Sequence, residues 1–172
     1  MVAAKPILAA VLAVGVGYVA YPYVTLYRLG HAIHTGDAAA LQSLVDWPSV
    51  REGIKEDICD KLADDPARDG ELPAFGASFV RGVAANAVDR RVTPEALVQL
   101  TRAPGKVNAG TGTPVKVEWA FFGDPTDFIV SLGASGRRDP IRLRLSLKQD
   151  ATWQVTRVWL PPSLLQQANE GT

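Results

Sequence analysis

The chain has 172 residues, carries 18 basic and 18 acidic side chains, and is 47% hydrophobic. This composition excludes a disordered chain and a polytopic membrane protein, and the length fits one domain with a short appendage. A net charge of zero argues against nucleic acid as a partner, because no global basic field collects phosphates. Since Cys59 is the single cysteine, an internal disulfide and a thiolate zinc site are also excluded.

The first predicted element is an apolar helix. Residues 6–27 carry no charged side chain, and as a helix they reach about 33 Å, enough to cross a membrane. Pro22 predicts that this helix ends there, because the residue before a proline disfavours helical backbone angles. Cleavage after Ala20 would leave a bulky tyrosine where a signal peptidase needs a small residue, so an uncleaved anchor over residues 6–26 is favoured over a cleaved signal. Tyrosines, which suit a membrane–water interface, gather at its far end: Tyr18, Tyr21, Tyr23 and Tyr27.

The charges beside this segment predict its orientation. Lys5 and the amino terminus precede it, whereas Arg28 and two histidines follow it. The segment thus has two positive charges before it and one after it. By the positive-inside rule, this difference favours a cytoplasmic N terminus and a domain outside the cytoplasm. We expect an anchor over residues 1–27 and one soluble domain over residues 28–172.

Helix-start signals organise the next part of the chain. Gly36 and Asp37 end one helix and cap a short second one, and Asp46 caps a third that opens at Trp47-Pro48. Residues 75–92 form an amphipathic stripe. Thr93-Pro94-Glu95 then begins a further helix, because a capping hydroxyl, a proline and an acid follow one another.

Beyond Pro114 the hydrophobic period changes from that of a helix to that of a strand. Alternating runs at 115–122, 127–133, 141–148 and 152–160 predict four antiparallel strands. Helices first and strands afterwards indicate an α+β fold, with several helices packed on one face of a four-stranded sheet. Arg142 and Arg144 should face outward. The predicted core comprises Trp119, Phe121, Phe128, Leu143, Leu145 and Trp153 with Phe79, Val83 and Val88.

The block at positions 21–52 joins a proline–tyrosine pair, the run Gly-Asp-Ala-Ala-Ala-Leu and the pattern Val-Asp-Trp-Pro-x-Val-Arg. With TPEAL at 93–97 and WQVTRVWLP at 153–161, it resembles an uncharacterised bacterial family known as domain of unknown function twenty-nine thirty-nine. The resemblance implies a membrane-associated bacterial protein with no assigned activity, and it transfers no catalytic residue. Together with the predicted span and its orientation, we expect a single-pass protein of the bacterial inner membrane with its domain in the periplasm. A looser resemblance, of architecture alone, is to the nuclear transport factor two-like superfamily, a fold that hosts unrelated functions.

Candidate site residues have a structural and a functional interpretation. Asp46 and Arg51 could face a pocket, but a helix cap with a nearby ion pair to Glu52 or Asp57 is favoured. His31, His34 and Asp37 have a spacing that could hold a metal, although Asp37 serves better as a cap. Cys59 lies among acids, which disfavour a reactive thiolate. We therefore predict no metal, no cofactor and no catalytic constellation.

Arg142 and Arg144 lie on the polar face of one hairpin, where they could bind anionic lipid or an acidic protein, or simply be solvated. Arg157 alternates with Trp153 and Val155, so it enters the apolar side of the sheet or is turned out by a bulge. We predict that it lies near the helix-facing side and meets a carboxylate. The sequence favours a non-enzymatic envelope protein that binds a protein partner or lipid. A small-molecule-binding or enzymatic cavity between sheet and helices is the alternative, and the oligomeric state is left open.

Overall fold

The computed structural model describes residues 4–63, 74–102, 116–133, 139–159 and 161. Within them, helices come first and strands follow, so the fold is α+β as predicted. The helices are α1 (Ala4–Thr35), α2 (Ala38–Leu44), α3 (Trp47–Ala63), α4 (Ala74–Arg91) and α5 (Pro94–Arg102). The strands are β1 (Lys116–Asp124), β2 (Asp127–Gly133), β3 (Ile141–Leu147) and β4 (Trp153–Trp159).

The four strands form one antiparallel sheet in the order β1-β2-β3-β4. Its inner face packs against helices and forms the core. Leu143 and Leu145 are buried there, and Arg142 and Arg144 point to the opposite, outer face, so the predicted register of β3 is confirmed. The inner face is closed by side chains that are at most 8% exposed: Phe128, Val130, Leu143, Leu145, Trp153 and Val155.

The predicted helix starts are confirmed by their hydrogen bonds. The Asp37 carboxylate accepts from the amide of Ala40 at 3.0 Å, and Gly36 before it adopts a φ of 69°. The Thr93 hydroxyl oxygen accepts from the amide of Ala96 at 3.1 Å. Each cap satisfies an amide that the first turn of a helix leaves without an intrahelical partner.

The first helix does not end at Pro22, so that prediction is wrong. α1 runs for 32 residues through this proline. Pro22 is fully buried and Thr25 is 3% exposed, because this part of α1 packs against the sheet. That packing offsets the roughly 3 kcal/mol that proline costs inside a helix. We call Tyr18–Thr35 the docked half of α1 and Ala4–Gly17 its free half.

The division between an anchor at 1–27 and a domain at 28–172 stays a prediction. α1 crosses that division without a break. Leu29 and Ala32 belong to the core, with Leu26 and Ile33 packed against it.

Three predicted core residues are not buried. The pairing of β1 with β2 shifts by one residue between Val117 and Trp119. The alternation of side chains therefore changes phase, and Ala120 and Phe122 pack against the core. Phe121 is therefore 54% exposed on the outer face, with the half-buried Trp119 beside it.

Val83 is also 54% exposed, whereas Val88 is buried. Five residues of helix separate their directions by about 140°, so a neighbour that covers Val88 leaves Val83 open. The side chain of Phe79 lies outside the described residues. Phe128, Leu143, Leu145 and Trp153 are buried as predicted.

Candidate functional site

The segment Val45–Arg51, which carries the family-like pattern, attaches the helices to the edge of β4. Val45 forms a parallel bridge with Val155, and the amide of Asp46 donates to the Val155 carbonyl at 2.9 Å. The Trp47 indole N–H donates to the Leu41 carbonyl at 3.3 Å. These contacts cover the β4 edge with protein, as exposed sheet edges require.

Asp46 is a helix cap and an ion-pair partner. Its carboxylate accepts from the Ser49 amide at 3.2 Å and from the Ser49 hydroxyl at 2.7 Å, and it also accepts from the Lys148 ammonium. Burial alone would raise the pKa of Asp46, but the hydrogen bonds from Lys148 and Ser49 outweigh it, so the pKa of this carboxyl is lowered. An ionised carboxylate with every partner inside the fold fits the structural interpretation.

Arg51 pairs with a different acid from the two considered in the sequence. Its Nε lies 3.9 Å from Asp89 Oδ1 on α4, and the Lys55 Nζ lies 2.9 Å from the same oxygen. The hydrogen bond with Asp89 raises the pKa of Lys55. This cluster ties α3 to α4, a contact between helices that sequence spacing cannot indicate.

Arg157 meets carboxylates, as predicted, but not from the inner face. A register shift in the β3–β4 pairing, between Arg144 and Leu145, places Arg157 opposite Arg144. The bulge thereby turns it to the outer face at the edge of the sheet. From there its guanidinium donates to Glu56 and, at 2.7 Å, to Asp57 on α3, and the hydrogen bond to Glu56 raises its pKa.

A glycine makes this approach to α3 possible. A Cβ added at Gly53 would lie 3.1 Å from Arg157 Cδ and 3.3 Å from its Cζ. Gly53 thus leaves room for the arginine stem along the helix, and the guanidinium reaches both acids.

Asp46 and Arg157 do not converge. Each is engaged by its own partners, Asp46 by Lys148 and Ser49, and Arg157 by Glu56 and Asp57. The inner face between them is packed with fully buried side chains, including Trp153 and Leu145. The two residues therefore do not form a common site.

The outer face carries a mixed aromatic and arginine surface. Cross-strand pairing aligns Trp119, Ser131, Arg142 and Trp159 in one row, and Phe121, Ile129, Arg144 and Arg157 in the next. Open antiparallel faces are normally polar, so aromatic side chains here are notable. We define the outer patch as Trp119, Phe121, Ile129, Arg142, Arg144 and Trp159.

Cations in the outer patch are held by weak contacts. The Arg144 guanidinium lies 5.1 Å from the Trp159 ring centroid, and its Nε lies 4.0 Å from Asp127 Oδ2. Arg142 is exposed and has no ionic partner among the described residues. Arg144 remains 41% exposed, so both guanidinium groups have hydrogen-bonding capacity left for a ligand.

Sequence reasoning missed the aromatic half of this surface. Trp119 and Phe121 stack with ring centroids 4.6 Å apart, on the face opposite to the one predicted. The adjacent Phe121-Phe122 pair was the available signal, because two neighbouring aromatics leave the phase of the alternation undecided.

The remaining candidates bring no chemistry together. Among the described residues, no group of three histidine, cysteine, aspartate or glutamate side chains could hold a metal ion. Asp37 serves as a helix cap, and His31 stacks against Tyr27. Cys59 is a half-buried free thiol.

The fold and the outer patch together define an α+β domain built onto a long apolar helix. The family described as Protein of unknown function (DUF2939) matches residues 11–100. Because the match covers more than half of the 172 residues, the chain belongs to that family. The matched region ends before β1, so the outer patch lies outside the matched region. No curated protein and no solved structure matches the chain, and the nuclear transport factor two-like fold stays a prediction.

Proposed function

We propose that this protein is a membrane-anchored, non-enzymatic domain that binds a protein partner through the outer patch. The observation that carries the proposal is the composition of that surface. It combines two arginines that have free donors with three aromatic rings, of which Phe121 is exposed and Trp119 and Trp159 are half-buried. Tryptophan and arginine dominate the energetic centres of protein interfaces, and aromatic residues are enriched there generally.

The partner is a protein surface that offers carboxylates next to apolar side chains. Carboxylates would accept from Arg142 and Arg144, both partly exposed. Apolar groups would cover the ring of Phe121, which is 54% exposed. Rigid aromatic anchors lose little conformational entropy on binding, which suits them to this role.

Lipid headgroups are the less favoured ligand, because the two turns of the sheet that lie nearest the membrane helix carry acidic side chains. Tyr18 on α1 stacks against Phe122 at the end of β1 and meets Trp153 at the start of β4. The β1–β2 and β3–β4 turns therefore lie toward the free half of α1, and they carry the exposed Asp124 and Asp150. The end of the sheet that faces the membrane therefore presents carboxylates, which do not bind anionic headgroups, whereas Arg142 and Arg144 lie within β3 and not in those turns.

The membrane anchor consists of the free half of α1 and those residues of the docked half that lie in the bilayer. Among the described residues, α1 is the one helix that is long and apolar enough, by length and composition, to span a membrane, over Ile7–Thr35. We place the protein in the bacterial inner membrane with its domain in the periplasm. Resistance to carbonate extraction, together with protease cleavage in spheroplasts, tests this placement; full-length protein in the soluble fraction contradicts it.

Site-specific photo-crosslinking in the native membrane tests the binding surface. A photoreactive phenylalanine analogue replaces Phe121 in the full-length chain, and a matched control replaces Val83, which is also 54% exposed. We expect an adduct of one discrete protein mass from position 121 and none from position 83. The double substitution Arg142→Glu, Arg144→Glu should abolish it, and Arg142→Lys, Arg144→Lys should retain part of it.

The other outcomes are equally informative. Adducts with lipid at position 121 would favour headgroup binding, and equal yields from both positions would remove the case for a dedicated surface.

A further inference from the structure

The free half of α1 is too short to cross a bilayer alone. Between Lys5 and Tyr18 it offers the 12 uncharged residues 6–17, or about 18 Å of helix, against a hydrocarbon core of about 30 Å. Its large apolar side chains are 61–72% exposed, from Ile7 to Val16. A Cβ added at Gly15 or Gly17 would meet nothing within 4 Å. Nothing in the described domain covers this segment, so lipid must.

The lipid–water boundary cannot lie far beyond Tyr18 in the direction of Thr35. The pKa of Asp124 is lowered by hydrogen bonds from Thr126, and that of Asp150 by hydrogen bonds from Thr152. Both carboxylates are exposed and accept hydrogen bonds from the amides and hydroxyls of their own turns, so they are ionised at neutral pH, at the end of the sheet that Tyr18 contacts. A charged group in the hydrocarbon is strongly unfavourable, so these turns must stay in the headgroup layer or in water.

We infer that the lipid–water boundary crosses α1 at Tyr18, not at Tyr27, so that a short span seats the domain directly on the headgroups. This inference rests on the membrane anchoring in the proposed function, but not on the outer patch. The layer from Tyr18 to Tyr23 spans about 7.5 Å of helix, close to the depth of one headgroup region. Tyr21 and Tyr23 are 39% and 45% exposed there, in the zone that favours tyrosine.

A short span has a mechanical consequence. A hydrophobic segment shorter than the bilayer is accommodated by local thinning and by polar residues that reach for the interface. Since α1 is continuous through Pro22, any mismatch acts on the docked half, either pressing the domain onto the membrane or pulling Tyr18 from Phe122. The membrane that fits the docked protein is therefore thinner than average.

Cysteine accessibility in nanodiscs, which leave both membrane faces open, tests the boundary. In a Cys59→Ser background, single cysteines replace Val14, Val19, Val24 and Tyr27, which are 72%, 52%, 50% and 75% exposed. A membrane-impermeant maleimide should fail to label position 14 and should fully label positions 24 and 27. The exposed Gln42 on α2, replaced by cysteine, is the control that labels throughout.

Three outcomes are distinguishable. Protection of position 24 together with position 14 would place the boundary beyond the docked contacts and overturn the inference. Labelling of all four positions would overturn the membrane anchoring itself. Protection of position 14 with labelling of position 24 supports the inference whatever the crosslinking of the outer patch shows.

Bilayer thickness supplies a second test that needs no cysteine variant. The thermal midpoint of the wild-type domain should be lower in nanodiscs of long-chain lipid than in nanodiscs of short-chain lipid. A lengthened variant, with Leu-Ala-Leu-Ala-Leu-Ala-Leu inserted between Val14 and Gly15, adds about two helical turns and should lose this dependence. Equal responses of the two proteins to thickness would contradict the short span.

Discussion

The two faces of the four-stranded sheet use alternate residues of the same strands and meet different surroundings. On the inner face Phe128, Val130 and Leu145 are fully buried against the helices. On the outer face Phe121 is 54% exposed and Arg144 41% exposed. The inner face holds the fold together by excluding water. The outer face keeps aromatic and charged groups in water, where they add little to the fold.

This difference separates stability from binding within one sheet. Burying a large apolar side chain contributes about 1.5–3 kcal/mol, so the inner face supplies much of the folding free energy. Residues of the outer patch can change with little cost to the fold, which is the condition for a surface that evolves toward a partner. Substitutions on each face test how strictly the two faces divide these roles.

The largest effect should come from exchanging one phenylalanine on each face for alanine. Phe128 is 0% exposed and packs edge-on against Tyr23, with ring centroids 4.7 Å apart. Phe128→Ala should lower the free energy of unfolding by about 3–5 kcal/mol, because it leaves a cavity in the core. Phe121→Ala should lower it by less than about 1 kcal/mol, since the ring is already mostly in water. Denaturant unfolding of the two variants in nanodiscs, followed by tryptophan fluorescence, measures both changes.

A comparable loss from the two variants would mean that something outside the described residues buries Phe121. The division between a structural inner face and a free outer face would then fail.

The next effect tests Arg157, which lies where the outer face meets α3. Arg157→Ala should lower the free energy of unfolding by about 1–3 kcal/mol, because it removes charge-assisted hydrogen bonds and leaves Glu56 beside Asp57 without a cation. The same denaturant measurement at neutral pH checks it. A change within experimental error would show that the ion pairs are solvated and contribute nothing.

Gly53→Ala provides the matched half of a double-mutant cycle. In the wild type the new Cβ crowds Arg157, so the usual gain of about 1 kcal/mol from replacing a helical glycine should be absent. In the Arg157→Ala background that gain should appear. Additive effects would contradict the close packing between this glycine and the arginine stem.

Asp46 predicts a smaller effect that depends on pH. Its pKa is lowered in the folded protein by Lys148 and Ser49. Its contribution to stability is therefore present above the unfolded pKa of about 3.9 and disappears as the pH falls through the folded value. Asp46→Asn, which keeps a capping oxygen, should cost about 1 kcal/mol at pH 7 and nothing once the wild-type carboxylate is protonated.

Unfolding curves across this pH range measure the difference. In a Lys148→Gln background the cost of Asp46→Asn at neutral pH should shrink. An undiminished cost would assign the effect to Ser49 alone.

Much of the fold could be predicted because its signals are local. Caps at Asp37, Asp46 and Thr93 depend on neighbouring amides, and the alternation in β3 sets its register without outside help. Pro22 misled the prediction because the local cost of a proline is outweighed by packing against strands about 100 residues away. Hydropathy alone also could not tell which half of α1 meets protein and which meets lipid.

The site was harder to predict because it depends on bulges. A one-residue shift in β1 exposes Phe121, and another beside Val155 turns Arg157 outward. Neither shift leaves a glycine or another clear mark in the sequence. The partners of Arg51 and Arg157 come from other helices, so the sequence could indicate the need for an acid but not its identity.

The smallest effect concerns the β3–β4 turn, which belongs to neither face and so isolates a backbone cost. Ala151 adopts a φ of 58°, a left-handed conformation that costs an L-residue about 1–2 kcal/mol. Its amide donates to the Lys148 carbonyl at 2.9 Å, and the Thr152 carbonyl accepts from the Lys148 amide at 2.8 Å, which hold the turn in place. Ala151→Gly should raise the free energy of unfolding by about 0.5 kcal/mol, after the added flexibility of the unfolded chain is subtracted. The same exchange at the exposed helical Ala87 should lower it by about 1 kcal/mol, so denaturant unfolding of the two variants should give opposite signs. A loss in both variants would show that the turn is not strained at Ala151.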